Sequence, residues 1–393
     1  MLNFTFSNVT KIIFGRGVEE QTGKEAKLWG KKVLLHYGGG HIVRTGLKDR
    51  VVESLREAGL EVVELGGAQP NPRLSLVREG IELARKEKVD LIVAVGGGSA
   101  IDSAKAIGIG VPYEGDVWDF YAGKAKAEES LPLGVVLTIP AAGSESSPSS
   151  VITNEDGWLK VGYGALVMRP KFALLNPELT FTLPAYQTAC GVSDMMAHII
   201  ERYFTQEGDV GFSDHLCEAA LRSIMQEAPI AIAEPENYGA RANIMWAGTI
   251  AHNDLLGMGR SEDWASHNIE HELSALYDIA HGAGLSIVFP AWMKYVYKQN
   301  PQRFVQFAVR VFGVEQDFHK PERTILEGIR RLEDFFHRIG LPTTLAEAEI
   351  PVDRLQEMAE KATAGDTQKL GSFMPLGQAD VLAIYELCQG ETR

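Results

Sequence analysis

Three of the ten histidines fall within fifteen residues, in the run WASHNIEHELSALYDIAHGAG at positions 264–284. His267 and His271 stand four apart, which on a helix puts both imidazoles on one face. His281 lies fourteen residues beyond His267, roughly 21 Å along an unbroken helix, too far for both to share one ion. If the two meet at a metal, the helix must end between them. Leu276-Tyr277-Asp278, followed by Gly282 and Gly284, is where the spacing predicts that turn. Upstream, Asp194 and His198 in GVSDMMAHIIE form a second four-residue pair. Together Asp194, His198, His267 and His281 would make a site of one carboxylate and three imidazoles. Taken singly each histidine reads as a hydrogen-bonded structural or surface residue, as do His36, His41, His215, His252, His319 and His337. DxxxH and HxxxH pairs also arise on amphipathic helices, so the case rests on the joint pattern.

The chemistry follows from charge. A divalent ion with one carboxylate and three neutral imidazoles keeps a net charge of +1 and remains a Lewis acid for an alcohol or carbonyl oxygen. Metal binding lowers the pKa of water from about 15.7 to about 7, and an alcohol should respond in the same direction. At about 1.36 kcal/mol per unit, ionisation by the metal supplies several kcal/mol. A positioned histidine typically contributes only about 10²–10⁴-fold. The metal is then the larger effect, and His271 is the candidate proton relay or substrate-positioning group.

The elements that must hold these residues divide the chain in two. From about residue 184 onward the pattern is helical: segments 186–203, 214–227, 238–253, 267–276, 287–297, 301–312, 322–339 and 352–364, then a short last helix. Before that, strands at 32–37, 61–65, 90–95 and 134–139 alternate with helices near 48–58, 73–86 and 101–107, the pattern of a parallel sheet covered on both faces. Phe4–Phe6 and residues 11–14 read as a hairpin or edge pair. We therefore expect an α/β dinucleotide-binding domain over 1–182 and an all-helical, metal-binding domain over 183–393, with no internal repeat. Strand 91–95 runs into Gly96-Gly97-Gly98-Ser99 and then a helix carrying Asp102 and Lys105. Backbone N–H groups of such a turn can approach a diphosphate, with the helix dipole favouring its charge. GGGS is not the GxGxxG spacing and also occurs as a plain tight turn. The strand at 134–139 ends in a similar polar turn, residues 140–148, and ligands sit beyond the carboxyl edge of open parallel sheets. An alkoxide-stabilising metal beside a diphosphate-binding half implies hydride transfer to a nicotinamide.

Composition narrows the alternatives. The balance of 38 basic and 52 acidic residues gives −14, which repels a phosphate backbone and disfavours nucleic acid. Three cysteines, Cys190, Cys217 and Cys388, without CxxC spacing indicate a reducing compartment. With no basic-then-apolar start and no eighteen-residue apolar run, a cytoplasmic protein without membrane attachment is expected.

The runs WASHNIEHELSALYDIAHGAG, PAYQTACGVSDMMAHIIE, VGGGSAIDSAKA and PAAGSESS resemble the iron-dependent, group III alcohol dehydrogenases, nearest their NAD(P)H-dependent butanol dehydrogenase and aldehyde reductase branch. The similarity runs over essentially the whole chain. It implies a dehydroquinate-synthase-like fold, with Asp194, His198, His267 and His281 as ligands of Fe²⁺ or Zn²⁺ and His271 facing the substrate. It further implies that Gly97, Gly98, Ser99 and Asp102 contact the diphosphate and nicotinamide side, that Thr138 and the loop from Ala141 to Ser144 lie along the cofactor, and that Lys160 reaches it. The family loop usually has a threonine before the glycine; Ala142-Gly143-Ser144 lacks it, which puts one polar cofactor contact in question. Asn176 stands where an acidic residue is common. NAD-preferring relatives tend to carry an aspartate after the first strand, whereas here Gly38, Gly39 and Gly40 are followed by His41 and Arg44. Nothing there rejects a 2′-phosphate, so NADP(H) is expected to be preferred over NAD(H). The implied activity is interconversion of primary alcohols and aldehydes; the amino-terminal β pair could extend a sheet across a homodimer. Competing readings are a polyol or glycerol-phosphate dehydrogenase or a lyase on the same scaffold, and a non-catalytic nucleotide-binding protein.

Overall fold

A computed structural model describes residues 1–390. The chain forms two compact units, Ser7–Leu183 on one hand and Pro184–Arg393 together with Met1–Phe6 on the other.

The first unit is built on strands β1 (Lys11–Phe14), β2 (Lys32–Tyr37), β3 (Glu61–Leu65), β4 (Leu91–Gly96), β5 (Leu133–Leu137) and β8 (Phe172–Leu175), all parallel, in the order β1-β8-β5-β4-β2-β3. Strands β6 (Ser149–Asn154) and β7 (Leu159–Gly164) pair separately and antiparallel. The crossovers are helical: α1 (Thr22–Ala26), α2 (Gly40–Arg44), α3 (Leu47–Glu57), α4 (Leu74–Glu87), α5 (Gly98–Gly110) and α6 (Trp118–Tyr121). The run LIVAVG of β4 is buried throughout, as a central parallel strand covered on both faces requires. Val33, Leu35, Val93 and Val95 pack with Leu47, Val51 and Leu55 of α3.

One expectation fails here. Phe4–Phe6 is not a strand, and β1 runs parallel to β8. Lys11 donates its N–H to the Lys171 carbonyl at 3.0 Å and Gly15 to that of Leu175 at 3.0 Å, so a crossover ladder takes the place of a hairpin. The first six residues group with the helical unit, where the Leu2 N–H donates to Gly259 O at 2.8 Å, and not with residues 7–182.

The second unit is helical: α7 (Ala185–Tyr203), α8 (Gly211–Ala233), α9 (Tyr238–Ala251), α10 (Ala265–Tyr277), α11 (His281–Val296), α12 (Pro301–Phe312), α13 (Pro321–Arg338), α14 (Leu355–Ala362) and α15 (Gln378–Leu387). Its core includes Phe204, Trp292, Phe304 and Phe373, with the Phe204 and Phe304 rings 4.3 Å apart. Helix α10 ends as expected: Asp278 takes a left-handed conformation (φ 53°), and its N–H caps the carbonyl of Ser274. Three residues on, His281 opens α11.

The far end of α7 is clamped by charge. Arg303 grips the Asp214 carboxylate through Nη1 and Nη2 at 2.5 Å each, and its Nε donates to the Tyr203 carbonyl at 2.8 Å. Arg260 Nη2 adds a contact to Asp214 at 2.9 Å. Burial would raise the Asp214 carboxyl, but the two guanidinium groups outweigh it and hold it below the usual carboxylate range. Its contribution is therefore present above about pH 4 and lost as pH falls through the depressed value. Removing one member of such a buried group costs about 3–5 kcal/mol. Asp214→Ala should lose about that much in urea unfolding at pH 7, with a smaller deficit at pH 3; a loss under about 1 kcal/mol at pH 7 contradicts this.

Candidate metal centre and nucleotide loops

Helix α7 carries Asp194, His198 and Glu201 at i, i+4 and i+7, a single face. Helix α10 likewise carries His267, Glu270, His271 and Ser274. The break at Asp278 brings His281 back beside them. The Asp194 Oδ1 atom lies 3.3 Å from His198 Nε2, 3.7 Å from His267 Nε2 and 3.9 Å from His281 Nε2. Asp194, His267 and His281 offer ligand atoms all within 4.8 Å of one another. The His198 and His267 rings are 4.5 Å apart and those of His267 and His281 5.3 Å. Asp194, His198 and His267 are buried, while the His281 side chain is 25% exposed and is the donor nearest solvent.

Asp194 Oδ1 and His267 Nε2 are buried with no hydrogen-bond partner. An unsatisfied buried polar atom costs about 1–3 kcal/mol, yet two of them face each other here. Asp194, His267 and His281 at these separations suit a divalent cation such as Fe²⁺ or Zn²⁺, with His198 beside Asp194 but outside that trio, and a cation would satisfy the facing Asp194 and His267 atoms. The residues present fit the group. A second trio with ligand atoms within 4.8 Å, Glu270, His271 and His281, shares His281 with the first.

Two carboxylates missed by the sequence reading stand behind the imidazoles. Glu201 Oε2 is 3.1 Å from His267 Nδ1, an ion-pair contact off the ideal hydrogen-bond line, and Glu201 Oε1 accepts the His267 backbone N–H at 3.1 Å. Glu270 Oε2 pairs with His281 Nδ1, and Ser274 Oγ lies within hydrogen-bond reach of Glu270 Oε1. The signal was present as carboxylates in register with the histidines, DxxxHxxE and HxxEH. Burial opposes a charge on His267, but Glu201 and Asp194 raise its pKa to about 9. Burial, with His252 and His267 adjacent, pushes His198 well below its ordinary value.

His271 is buried, its ring 5.6 Å from that of His281. The Trp264 ring lies 5.5 Å from His198 and 5.2 Å from His267, with the Arg202 guanidinium 4.8 Å over its face. Phe289 belongs to the helical core.

In the first unit, β2, β4 and β5 are neighbours in register, with Tyr37 opposite Val95 and Gly96 opposite Leu137. The turns holding Gly38, Gly39 and Gly40, then Gly97, Gly98 and Ser99, then Thr138 to Ser144, therefore leave one edge of the sheet side by side. Leaving out β1, the strands run in the flavodoxin-like order, and the reversal falls between β2 and β4, where such folds bind ligands. Gly39 and Gly97 cap α2 and α5. A Cβ at Gly97 would stand 2.9 Å from Ile139 Cβ, so that glycine serves packing, whereas a Cβ at Gly39 would meet nothing within 4 Å and one at Gly98 only Ala142 Cβ at 4.0 Å. Those two positions leave room for a phosphate.

Other expected contacts are used internally. Asp102 Oδ1 accepts from Ser144 Oγ at 2.6 Å and Oδ2 from the Val151 N–H at 2.8 Å. The buried Lys105 Nζ donates to Ser144 Oγ at 2.9 Å, Ser147 Oγ at 3.1 Å and Ser149 O at 2.7 Å. Three donors meet three acceptors, so Lys105 fastens the loop and is not aimed at a phosphate. Lys160 is buried on β7, in register with Thr153. Asn176 bonds Glu19 Oε2 at 2.9 Å, a structural contact.

A nucleotide-binding parallel sheet and a helical unit with a one-carboxylate, three-histidine cluster define a metal- and dinucleotide-dependent oxidoreductase class. Residues 9–177 match the family model of iron-containing alcohol dehydrogenase, and residues 188–388 that of the Fe-containing alcohol dehydrogenase family, C-terminal. The chain belongs to the iron-containing alcohol dehydrogenases. It is 46% identical over 386 residues to a probable NADH-dependent butanol dehydrogenase 1 of Bacillus subtilis (strain 168), covering 98% of this chain and 99% of that one. It is 34% identical to the NADPH-dependent aldehyde reductase of Escherichia coli (strain K12), over 94% of this chain and 95% of the relative. The solved NADH-dependent butanol dehydrogenase A of Thermotoga maritima superposes with a TM-score of 0.95 at 44% identity, over 99% of each chain.

Two outcomes follow. Because a cation must displace the His267 proton, zinc affinity should weaken by more than about tenfold from pH 8 to pH 6; a flat profile contradicts the assignment of that proton. Gly98→Ala should keep or raise thermal stability, since alanine suits a helix better by about 0.5–1 kcal/mol. It should nonetheless weaken NADPH binding about tenfold, or 1.4 kcal/mol, by filling the space a phosphate needs; unchanged nucleotide affinity in a fluorescence titration contradicts that role.

Proposed function

We propose that the chain is a metal-dependent alcohol dehydrogenase and aldehyde reductase acting on primary alcohols and aldehydes of butanol-like size. The observation that carries the reading is the convergence of three imidazole nitrogens on the buried Asp194 Oδ1. Asp194, His198, His267 and His281 would hold the cation and His271 would move the proton. When bound, a divalent cation supplies Lewis-acid polarisation of the substrate oxygen, and a nicotinamide supplies or takes the hydride. Burial of Asp194, His198 and His267 keeps water from them. Trp264, beside His198 and His267, gives an apolar flank suited to an alkyl chain. The names of the relatives, butanol dehydrogenases and an aldehyde reductase, support the same substrate class.

For the cofactor, Gly38, Gly39, Gly40, Gly97, Gly98, Ser99 and Thr138 at the sheet edge would cradle the diphosphate, with Ala141 and Ser144 along it and Lys160 nearby. Asp102 would act by holding the Ser144 loop. The turn after β2 has His41 and Arg44 and no carboxylate, which supports NADP(H) over NAD(H). Four relatives carry NADH in their names, which weighs toward NAD(H). A homodimer is further supported by the edge position of β1 and by Phe4 and Phe6, 54% and 43% exposed, apolar surface that a second copy would cover. A monomeric mass in solution removes it.

Among the described residues no helix is long and apolar enough to cross a membrane.

The test is elemental analysis of purified protein coupled to butanal reduction with NADPH and NADH. We expect one Fe²⁺ or Zn²⁺ per chain, turnover lost on chelation and restored by the ion, and a higher kcat/KM with NADPH. His271→Ala should keep the ion and lose about 10²–10⁴-fold in rate. Full activity of the chelated protein would refute the metal reading; equal or better efficiency with NADH would refute the NADP(H) preference alone.

A further inference from the structure

We infer that Glu201 and Glu270 are the positioning residues of the cation site. Two fully buried carboxylates fix the tautomers of His267 and His281, so that each imidazole turns Nε2, and not Nδ1, toward Asp194. The inference rests on the reading that a cation binds among Asp194, His198, His267 and His281.

A neutral imidazole has one N–H and one lone pair, and the partner of one nitrogen decides which is which. A carboxylate only accepts. With Glu270 Oε2 against His281 Nδ1, that nitrogen must carry the hydrogen, and the lone pair is left on Nε2, 3.9 Å from Asp194 Oδ1. Glu201 stands behind His267 in the same sense, with one oxygen in ion-pair contact 3.1 Å from Nδ1, off the hydrogen-bond line, and the other accepting the backbone N–H of the same residue at 3.1 Å. One side chain thus fixes both the ring and the helix that bears it. Helices α7 and α10, which both pack in this unit, are joined at that point.

Glu270 is built into the fold and is not a stray acid. Ser274, one turn further along α10, holds its other oxygen. On α11, Gly284 has no side chain where a Cβ would overlap the Glu270 carboxylate. The same geometry decides between the two possible trios. If Glu270, His271 and His281 bound the ion, His281 would have to use Nδ1, and Asp194 Oδ1 and His267 Nε2 would stay buried without partners. With Glu270 as the anchor behind His281, those atoms gain one.

Charge sets the expected effect. A divalent ion with Asp194 keeps +1, and the two carboxylates behind the imidazoles bring the cluster to −1. They make the rings stronger donors and hold the ion more tightly; loss of such a partner typically costs about 10–100-fold in metal affinity.

The experiment strips the full-length protein with a chelator and titrates it with zinc(II) against a chromophoric competitor, then with cobalt(II) to read the d–d spectrum. The variants are Glu270→Gln, Glu201→Gln, Gly284→Ala and Asp194→Asn. We expect both glutamine variants to keep the wild-type far-UV spectrum, to lose 10–100-fold in zinc affinity and to shift the cobalt bands. Gly284→Ala, which retains Glu270 but displaces its carboxylate, should weaken zinc in the same way. Asp194→Asn should abolish tight binding. Folded glutamine variants with wild-type zinc affinity and an unchanged cobalt spectrum overturn the inference. A wild-type protein that binds no zinc, or an Asp194→Asn variant that binds it normally, overturns the underlying metal reading instead.

Discussion

Four donor atoms that repel one another are forced together out of water, and the helical unit is arranged around that fact. A carboxylate oxygen sits within 3.3–3.9 Å of three imidazole nitrogens, and with neither a cation nor a proton between them lone pairs face lone pairs. Each unsatisfied atom costs about 1–3 kcal/mol, so the surrounding structure must bear the strain whenever no ion is bound. The break of the chain at Asp278, the Glu201 and Glu270 anchors and the Asp214–Arg303 clamp at the end of α7 hold the donors in place. The arrangement makes sense as a preformed cation site and has no comparable rationale as plain core packing, since a core gains nothing by burying three imidazoles against one acid.

The nucleotide unit solves the opposite problem, that of leaving space. Gly39 and Gly98 stand where a side chain would meet almost nothing, at the sheet edge where strand order reverses. Around that opening the polar groups are tied down. Asp102 and Lys105 secure residues 144–151, so that the loop beside the opening has a fixed shape before any ligand arrives. Preorganisation of this kind lowers the ordering cost of binding.

Much of this was legible in the sequence because it is periodic. Four-residue spacing put Asp194 with His198 and His267 with His271, and the fourteen-residue interval to His281 forced a break that the structure places at Asp278. Strand–helix alternation gave the parallel sheet. What escaped had no local signature. The pairing of β1 with β8 depends on a partner about 160 residues away, and only tertiary structure tells that residues 4–6 form no strand. Asp102 and Lys105 were legible as polar groups near a glycine turn, but whether they face a ligand or their own loop depends on the path of residues 144–151. Glu201 and Glu270 were readable in principle: they continue the same helical faces, yet charged residues on a helix ordinarily face solvent, and their burial comes from packing of α7, α10 and α11.

The most direct measurement is anomalous scattering from crystals of the protein grown with zinc(II) or iron(II), collected across the metal absorption edge. The account requires a single peak about 2.0–2.2 Å from an Asp194 oxygen and from the Nε2 atoms of His198, His267 and His281. A peak bound through His281 Nδ1 beside Glu270 and His271, or no peak at this cluster in metal-loaded crystals, would contradict it.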